Sequence, residues 1–187
     1  MDSYIKETIP TRKYPRAKFH DYNCGVYFVT VCTYNRQHYF GTISQCEMKL
    51  SKLGICLEEN LMSISEHLND VDVPLFVVMP NHFHAVVSIR RTQTRQSGNH
   101  GKLNQLCRLA VATGRDPTTE THHNSRLAVA VGSIKAHVSR YAQKHGIEFR
   151  WQIRFHEHII RNDMDGRRIS DYIENNVARW EDDCYHS

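Results

Sequence analysis

Apolar residues alternate or recur at helical spacing along the chain, and these patterns predict its first elements. GVYFVTVCT (25–33) is rich in β-branched and aromatic residues, which predicts a strand. VPLFVVM and HFHAVVSI are apolar runs split by the turn signal Pro80-Asn81, which predicts a hairpin. Between the first strand and this hairpin, apolar residues at helical spacing predict one long amphipathic helix. These residues are Met48, Leu50, Leu53, Leu57, Leu61, Ile64 and Leu68.

The second half of the chain opens with a polar segment of about 91–126 that lacks clear periodicity. LAVAVGSIKAHVSRYAQKHG then predicts a helix closed by Gly146. EFRWQIRFHEHIIR supplies one or two short strands, and RRISDYIENNVARW predicts a final helix. This order predicts an α+β fold, a ferredoxin-like (RRM-like) sandwich with helices packed on a mostly antiparallel sheet.

Composition favours one soluble domain over residues 1–187, with 40% hydrophobic and 24% charged residues. We expect a basic N-terminal arm of about 1–20 and a polar basic insertion of about 91–126. No signal-peptide h-region or long apolar stretch is present, so we expect a cytoplasmic protein. The six cysteines form no C-x-x-C pair, which favours reduced, mostly buried thiols over a zinc ribbon.

The net charge of +4 is unevenly distributed. Arg90–Arg115 contains six basic residues and no acidic one, and Thr11–His20 contains four unopposed basic residues. Such local fields suit a polyanionic partner, although solvated loops would have the same composition.

Two histidines lie one residue apart in the second strand of the predicted hairpin. Side chains at i and i+2 of a strand point to one face, so His82 and His84 project together while Phe83 points away. Two adjacent imidazoles can hold one divalent ion, and the apolar neighbours would exclude water. Hydrogen-bonded sheet histidines without a metal are the simpler alternative.

The last predicted helix presents a second pair of polar groups. At 100° per residue, its buried stripe consists of Ile169, Ile173, Val177 and Trp180. Tyr172 and Asn176 lie one turn apart at the border of that stripe. A helix packed on the sheet would aim this phenol and carboxamide toward one spot, although a border tyrosine also suits ordinary amphipathic packing.

Four motifs in register carry a resemblance to a known family. YFVTVCTYNRQHYFG, VVMPNHFHAVVSI, WQIRFHEHIIRN and DYIENNVARW resemble the REP-associated tyrosine transposases, relatives of the IS200/IS605 Y1 HUH transposases. The resemblance covers roughly 11–89 and 132–180. It implies single-stranded DNA nicking and strand transfer on hairpin, REP-like palindromic DNA through a 5′-phosphotyrosine.

The resemblance also implies roles for particular residues. Tyr172 matches the nucleophile, and His82, His84 and Asn176 match the ligands of a divalent metal, Mg²⁺ or Mn²⁺. We expect the DNA-binding residues to be Arg12, Lys13, Tyr14, Arg16, Arg90, Arg91 and Arg179. His158 is a candidate cleft residue. Some relatives work as dimers and others need not, so a homodimer stays open.

The chain departs from the family pattern at two places, and it contains a second histidine motif that does not fit the pattern. The family often has proline where this chain has Val177, so we expect a slightly longer last helix. The insertion has no counterpart that we can match. The motif HEH (156–158) has a glutamate at its centre and does not fit the HUH pattern.

Two other tyrosines compete for the role of nucleophile. Tyr141 has no carboxamide one turn on, and Tyr185 lies close to the C-terminus, where we expect a fixed attack geometry to be hard to hold. Tyr172 is therefore the predicted nucleophile.

Other functions stay open at this point. A rolling-circle initiator or relaxase would share the histidine pair, and a non-enzymatic hairpin-binding module would share the fold. A histidine-triad hydrolase would need a third alternating histidine, but position 86 is valine.

Overall fold

The structure is a computed structural model, and it describes residues 20–91 and 125–185. The predicted DNA-binding residues Arg12, Lys13, Tyr14 and Arg16 lie outside the described residues, as does most of the basic insertion. Within the described ranges, no helix is both long enough and apolar enough to cross a membrane.

In residues 20–91 and 125–185, six strands form a four-stranded sheet and a separate hairpin. They are β1 Gly25–Cys32, β2 Gly41–Ser44, β3 Glu47–Leu50, β4 Val71–Met79, β5 His82–Ile89 and β6 His156–Ile159. The large sheet has the order β4-β5-β1-β6, and every neighbouring pair in it is antiparallel. The hairpin pairs β2 with β3.

Helices connect and cover these strands. They are α1 Lys52–Met62, α2 Ile64–His67, α3 Arg126–Lys144 and α4 Asp163–Asn175, with 3-10 turns at Tyr34–Arg36 and Trp180–Asp182. The order β1-α1-β4-β5-α3-β6 is the ferredoxin-like arrangement, which confirms the predicted α+β fold. Gly146 follows α3 with a φ of +65°, a value that favours glycine and ends the helix as predicted.

The prediction of one long helix before β4 is wrong at both ends. Met48 lies in strand β3, and the turn before it places Gln45 and Cys46 at positive φ, which folds the chain into a hairpin. Helix α1 begins only after Ser51, whose Oγ accepts a hydrogen bond from Gly54 N at 3.1 Å. The helical path then breaks at Ser63, and α2 is a separate short helix.

The last helix is displaced toward the N-terminus relative to the prediction. Asn162 caps it, with its Oδ1 accepting from Asp165 N at 2.8 Å. The helix ends at Asn175, so the expected extension through Val177 is wrong. The chain instead turns over the next residues and buries Trp180, whose ring centroid lies 6.0 Å from that of His82.

The two faces of the sheet carry different layers. One face packs against α1 and α3 through the main core, which includes Val29, Val31, Phe83, Ala85, Val87, Leu57, Leu61, Ile134 and Val138. The other face packs against α4 through a smaller cluster of Phe28, Val86, Ile169 and Ile173. Since β1 and β5 alternate between these layers, every second residue of β5 faces α4.

The five described cysteines are all free, as expected. Cys32 and Cys56 are buried, Cys46 and Cys184 are exposed, and Cys24 is intermediate. The expectation that most thiols are buried is therefore wrong for this part of the chain.

The smaller cluster on the α4 face of the sheet predicts how much the packing of α4 contributes to the free energy of unfolding. Ile173→Ala should lower the free energy of unfolding by about 2 to 4 kcal/mol, because Ile173 is only 2% exposed and its loss leaves a cavity. Met164→Ala, on the same helix at 64% exposure, is the matched control and should change it by less than about 0.5 kcal/mol. Urea unfolding measures both, and equal effects would contradict this packing.

Candidate functional site

The histidine pair lies at the start of β5, on the sheet face covered by α4. His82 pairs with Cys32 of β1, and His84 pairs with Thr30. Both imidazoles are buried, at 0% and 1% exposure, while Phe83 between them faces the main core. The same-face geometry expected for the pair is thus present, in a site that excludes water.

The neighbours of His82 fix where its proton lies. Asn81 Nδ2 donates to Tyr185 O at 2.9 Å, so its Oδ1, 2.7 Å from His82 Nδ1, is left as an acceptor. His82 therefore donates from Nδ1 and holds a bare lone pair on Nε2. This carbonyl-to-imidazole support is the arrangement that orients metal-binding histidines.

His84 directs the same ring nitrogen to the same place. Its Nδ1 lies 2.8 Å from Thr30 Oγ1, and its Nε2 lies 2.9 Å from His82 Nε2. Two nitrogens bound at right angles to one ion at about 2.1 Å would be about 3.0 Å apart. The observed separation therefore fits two ligands of a single divalent ion.

Tyr172 projects from α4 onto this pair. Its hydroxyl lies 3.1 Å from His84 Nε2, and its ring stands edge-on to the ring of Phe28 at 6.0 Å between centroids. The phenol oxygen and this ring nitrogen are therefore within hydrogen-bond distance of each other. The predicted nucleophile and the histidine pair are thus in direct contact.

Asn176 follows one turn after Tyr172 and is 3% exposed. Its amide opposes the rise in the pKa values of Tyr172 and Asp183, so it lies beside both side chains. Its Oδ1 is buried and accepts no hydrogen bond. A buried oxygen without a donor is costly, and a cation at this site would remove that cost. Asn176 therefore fits the role of an oxygen ligand.

Burial disfavours every charged form, so it lowers the pKa of the basic groups of this site and raises the pKa of the acidic groups. It lowers the pKa of His84 to about 3 and places the pKa of His82 well below its ordinary value. It raises the pKa of the Tyr172 phenol above its ordinary value, with a smaller contribution from Asp183. At neutral pH both imidazoles are therefore neutral and the phenol keeps its proton.

Two residues of this site were not predicted. Asp183 Oδ2 lies 3.8 Å from His82 Nε2, and Tyr185 stacks near His82 with 4.8 Å between ring centroids. Tyr185 is held by the Asn81 hydrogen bond to its carbonyl and by the Arg36 guanidinium 5.4 Å from its ring centroid. Although we expected a fixed geometry to be hard to hold so close to the C-terminus, these contacts place Tyr185 beside the histidine pair.

The sequence does contain a signal for Asp183. Positions 172, 176, 180 and 183 follow one another at spacings of four, four and three, which would place them on one helical face. Helix α4 ends at Asn175, before these positions are reached, yet Trp180 and Asp183 still lie next to His82.

The remaining predicted residues lie elsewhere. Arg90 and Arg91 are exposed beyond the far end of β5, with Arg90 roughly 26 Å of extended strand from His82. Arg179 is exposed in the turn after α4. His158 binds Asp165 of α4 through its Nε2 at 2.8 Å, so it supports the helix rather than reaching the histidine pair.

The other candidate metal ligands and the candidate nucleophile Tyr141 lie away from this site in the described part of the chain. His82, His84 and Asp183 form the one group of three or more potential ligands found among residues 20–91 and 125–185. The HEH motif is split across the sheet, because Glu157 is buried opposite Val29 while its flanking histidines face the other way. Tyr141 stacks on His145 and packs against the main core, away from α4.

Comparison with known proteins places this geometry in context. No family model matches the chain. An uncharacterized protein of Haemophilus influenzae is 29% identical over 185 residues, covering 98% of this chain and 97% of that protein. The solved structure of a REP-associated tyrosine transposase bound to a REP hairpin covers 91% of this chain and 74% of its own, at 19% identity and a TM-score of 0.54. This chain has the fold of a REP-associated tyrosine transposase. A candidate transposase of Deinococcus radiodurans R1 covers 89% of the chain at a TM-score of 0.38, which is too low to indicate a shared fold.

The depressed histidine pKa values predict how stability changes with pH when metal is removed with EDTA. Below about pH 6.5 the unfolded chain protonates both histidines while the folded chain does not, so acid favours unfolding. The free energy of unfolding should fall by up to about 1.4 kcal/mol per pH unit for each histidine between pH 6.5 and about 4.

The matched variants isolate this contribution. His82→Gln/His84→Gln should show a shallower fall with decreasing pH, whereas His67→Gln, at an exposed position, should follow the wild type. Urea unfolding at pH 7, 6, 5 and 4 gives the comparison. Parallel curves for all three proteins would mean that the pair is not held neutral by burial.

Proposed function

We propose that the chain is a Y1 HUH transposase of the REP-associated tyrosine type. It would nick single-stranded DNA at a hairpin and transfer the strand through a 5′-phosphotyrosine. The observation that supports this most is the contact between the Tyr172 hydroxyl and His84 Nε2, at 3.1 Å, with His82 beside it. The buried Oδ1 of Asn176, which receives no hydrogen bond, adds to this support.

Tyr172 would be the nucleophile. Its oxygen attacks the scissile phosphorus, a bond from tyrosine oxygen to phosphorus forms, and the bond to the 3′ oxygen breaks. The phenolic proton leaves to solvent, and the departing 3′ oxygen takes a proton from water. A second attack by a 3′-OH reverses these bonds and joins strands, so no external energy source is needed.

His82, His84 and Asn176 would hold a divalent cation, and mixed nitrogen and oxygen ligands are compatible with Mg²⁺ or Mn²⁺. When bound, the cation supplies positive charge that polarises the phosphate and stabilises a phenolate. The chain's own contribution is orientation: Asn81 and Thr30 keep the two imidazoles directed at one point. The cluster around Ile173 fixes the helix that carries Tyr172.

Exposed cations near this end of the sheet suit a DNA backbone. The loop with Arg150 and Arg154 runs beside the end of β1, where Gln152 N donates to Cys32 O at 2.9 Å. Arg36 lies on the adjoining turn, and Tyr34 there is 48% exposed, so a base could stack on its ring. We propose that these residues contact the strand near the cut, together with Arg179. Arg90 and Arg91 would contact a more distant part of the hairpin.

The substrate class follows by analogy. The solved transposase of the same fold is bound to a REP hairpin, and we propose hairpin DNA with single-stranded flanks for this chain. A relaxase or rolling-circle initiator would share the histidine pair and act on other DNA. A non-enzymatic hairpin-binding module would need neither the Tyr172 hydroxyl nor a metal.

The nucleophile assignment predicts the fate of a covalent adduct. Tyr172→Phe removes only the hydroxyl, so folding and hairpin binding should persist while the protein–DNA adduct disappears. The assay incubates protein with Mn²⁺ and a hairpin oligonucleotide labelled on the 3′ side of the cut, then resolves the adduct under denaturing conditions. Peptide sequencing should place the DNA on Tyr172.

Tyr141→Phe is the matched control, because Tyr141 lies on α3 on the other side of the sheet and should form adduct at the wild-type level. An adduct from the Tyr172→Phe protein, or DNA attached to Tyr185, would refute the assignment. Absence of any adduct from the wild type across REP-like hairpins would favour the binding module.

The metal assignment predicts a split between binding and cleavage. His82→Ala/His84→Ala should abolish nicking, because it removes both nitrogen ligands. Hairpin affinity should stay within several-fold, since it rests mainly on phosphate contacts elsewhere. Filter binding and nicking on one oligonucleotide give both values. Nicking by the double variant, or by wild type in EDTA, would contradict a metal at this site.

A further inference from the structure

The segment after α4 brings a carboxylate to the histidine pair. Asp183 follows the 3-10 turn Trp180–Asp182, and its side chain is 2% exposed. One oxygen of Asp183 and one nitrogen of each histidine all lie within 4.8 Å of one another. Carboxylate and imidazole groups converging in a buried place form a common metal-ligand set.

The two oxygens of Asp183 have different roles. Oδ1 accepts from Tyr185 N at 2.8 Å, which closes a local turn and orients the carboxylate. Oδ2 is buried and has no partner at full hydrogen-bond geometry. Burial raises the pKa of this carboxyl group, and the Tyr185 backbone N–H, the Asn176 amide and the Cys184 thiol lie close enough to oppose that rise. This oxygen is the one that points to His82 Nε2, at 3.8 Å.

A hydrogen bond between Asp183 and His82 does not explain this arrangement. The distance of 3.8 Å exceeds hydrogen-bond range, and His82 already places its proton on Nδ1 toward Asn81. Asp183 Oδ2 and His82 Nε2 therefore face one space across a distance too long for a hydrogen bond between them. A cation in that space would satisfy both.

The position of Asp183 is fixed by contacts from distant parts of the chain. Asn81 Nδ2 donates to Tyr185 O at 2.9 Å, and Arg36 donates to Cys184 O at 2.9 Å. The Trp180 ring is 7% exposed and lies against His82. These contacts hold the residues on both sides of Asp183, so its carboxylate is positioned before any ion arrives.

We infer that Asp183 is a direct ligand of the divalent cation, in addition to His82, His84 and Asn176. The inference rests on the proposed function, because it concerns the same metal. The site would then have two nitrogen and two oxygen ligands from the protein. A six-coordinate Mg²⁺ or Mn²⁺ would keep two positions for phosphate or water oxygens.

Metal affinity without DNA tests this on the full-length chain. Mn²⁺ titration followed by electron paramagnetic resonance of the free ion should give one site in the wild type. Asp183→Asn should weaken Mn²⁺ binding by tenfold or more, because an amide replaces a charged ligand. Asp182→Asn removes the same charge from the adjacent exposed residue and should stay within twofold of the wild type.

A second variant reports coordination directly. Asp183→Cys loaded with Co²⁺ should show a near-ultraviolet thiolate-to-cobalt charge-transfer band, which Asp182→Cys and the wild type should lack. This signature requires a bond from the introduced sulfur to the metal, so a general loss of stability cannot imitate it.

The outcomes separate the two proposals. Mn²⁺ affinity of Asp183→Asn within threefold of wild type, or no charge-transfer band from Asp183→Cys, would overturn the role of Asp183. If His82→Ala/His84→Ala still abolishes Mn²⁺ binding in that case, the proposed metal centre survives. Equal Mn²⁺ binding by wild type and the double histidine variant would overturn both.

Discussion

The antiparallel register between β1 and β5 sets the position of every group in the candidate site. It pairs Thr30 with His84 and Cys32 with His82, and directs both imidazoles toward α4. A slip of one residue would turn the imidazoles into the main core and Phe83 toward α4. The wholly buried Phe83, Ala85 and Val87 oppose that slip. One face of β5 therefore packs into the main core, and the other carries the candidate site.

Burial gives this site its chemical character and also its main difficulty. It keeps His82 and His84 neutral and able to bind a metal, but it also holds the Tyr172 phenol in its protonated form. A phenolate in such surroundings needs a compensating positive charge. Among the described groups around Tyr172, the two imidazoles are neutral and Asp183 would add negative charge when ionised. In the proposed mechanism, the phenol therefore needs a cation beside it before it can act as a nucleophile.

Local patterns predicted the parts of the site that depend on local geometry. Strand alternation put His82 and His84 on one face, and helical spacing put Tyr172 beside Asn176. Asp183 was not predicted because its position depends on contacts between distant parts of the chain. One of them is the hydrogen bond from Arg36 to the carbonyl oxygen of Cys184, a residue 148 positions later in the sequence. Met48 and Leu50 were misassigned because Leu50 continues the helical spacing of Leu53 and Leu57. The spacing of two between Met48 and Leu50 is that of a strand, and the turn at Gln45 and Cys46 places both residues in the hairpin.

With Asp183 among the ligands, the charges of the proposed centre nearly balance. Two neutral imidazoles, one amide and one carboxylate carry a single negative charge, so a divalent ion leaves the centre with one positive charge. A phosphodiester brings one negative charge and would make the buried assembly neutral. Without the carboxylate, the same ion would sit in a dry pocket with its full charge, which is more costly to bury. Asp183 would therefore let the centre hold its metal before DNA arrives and still attract a single phosphate.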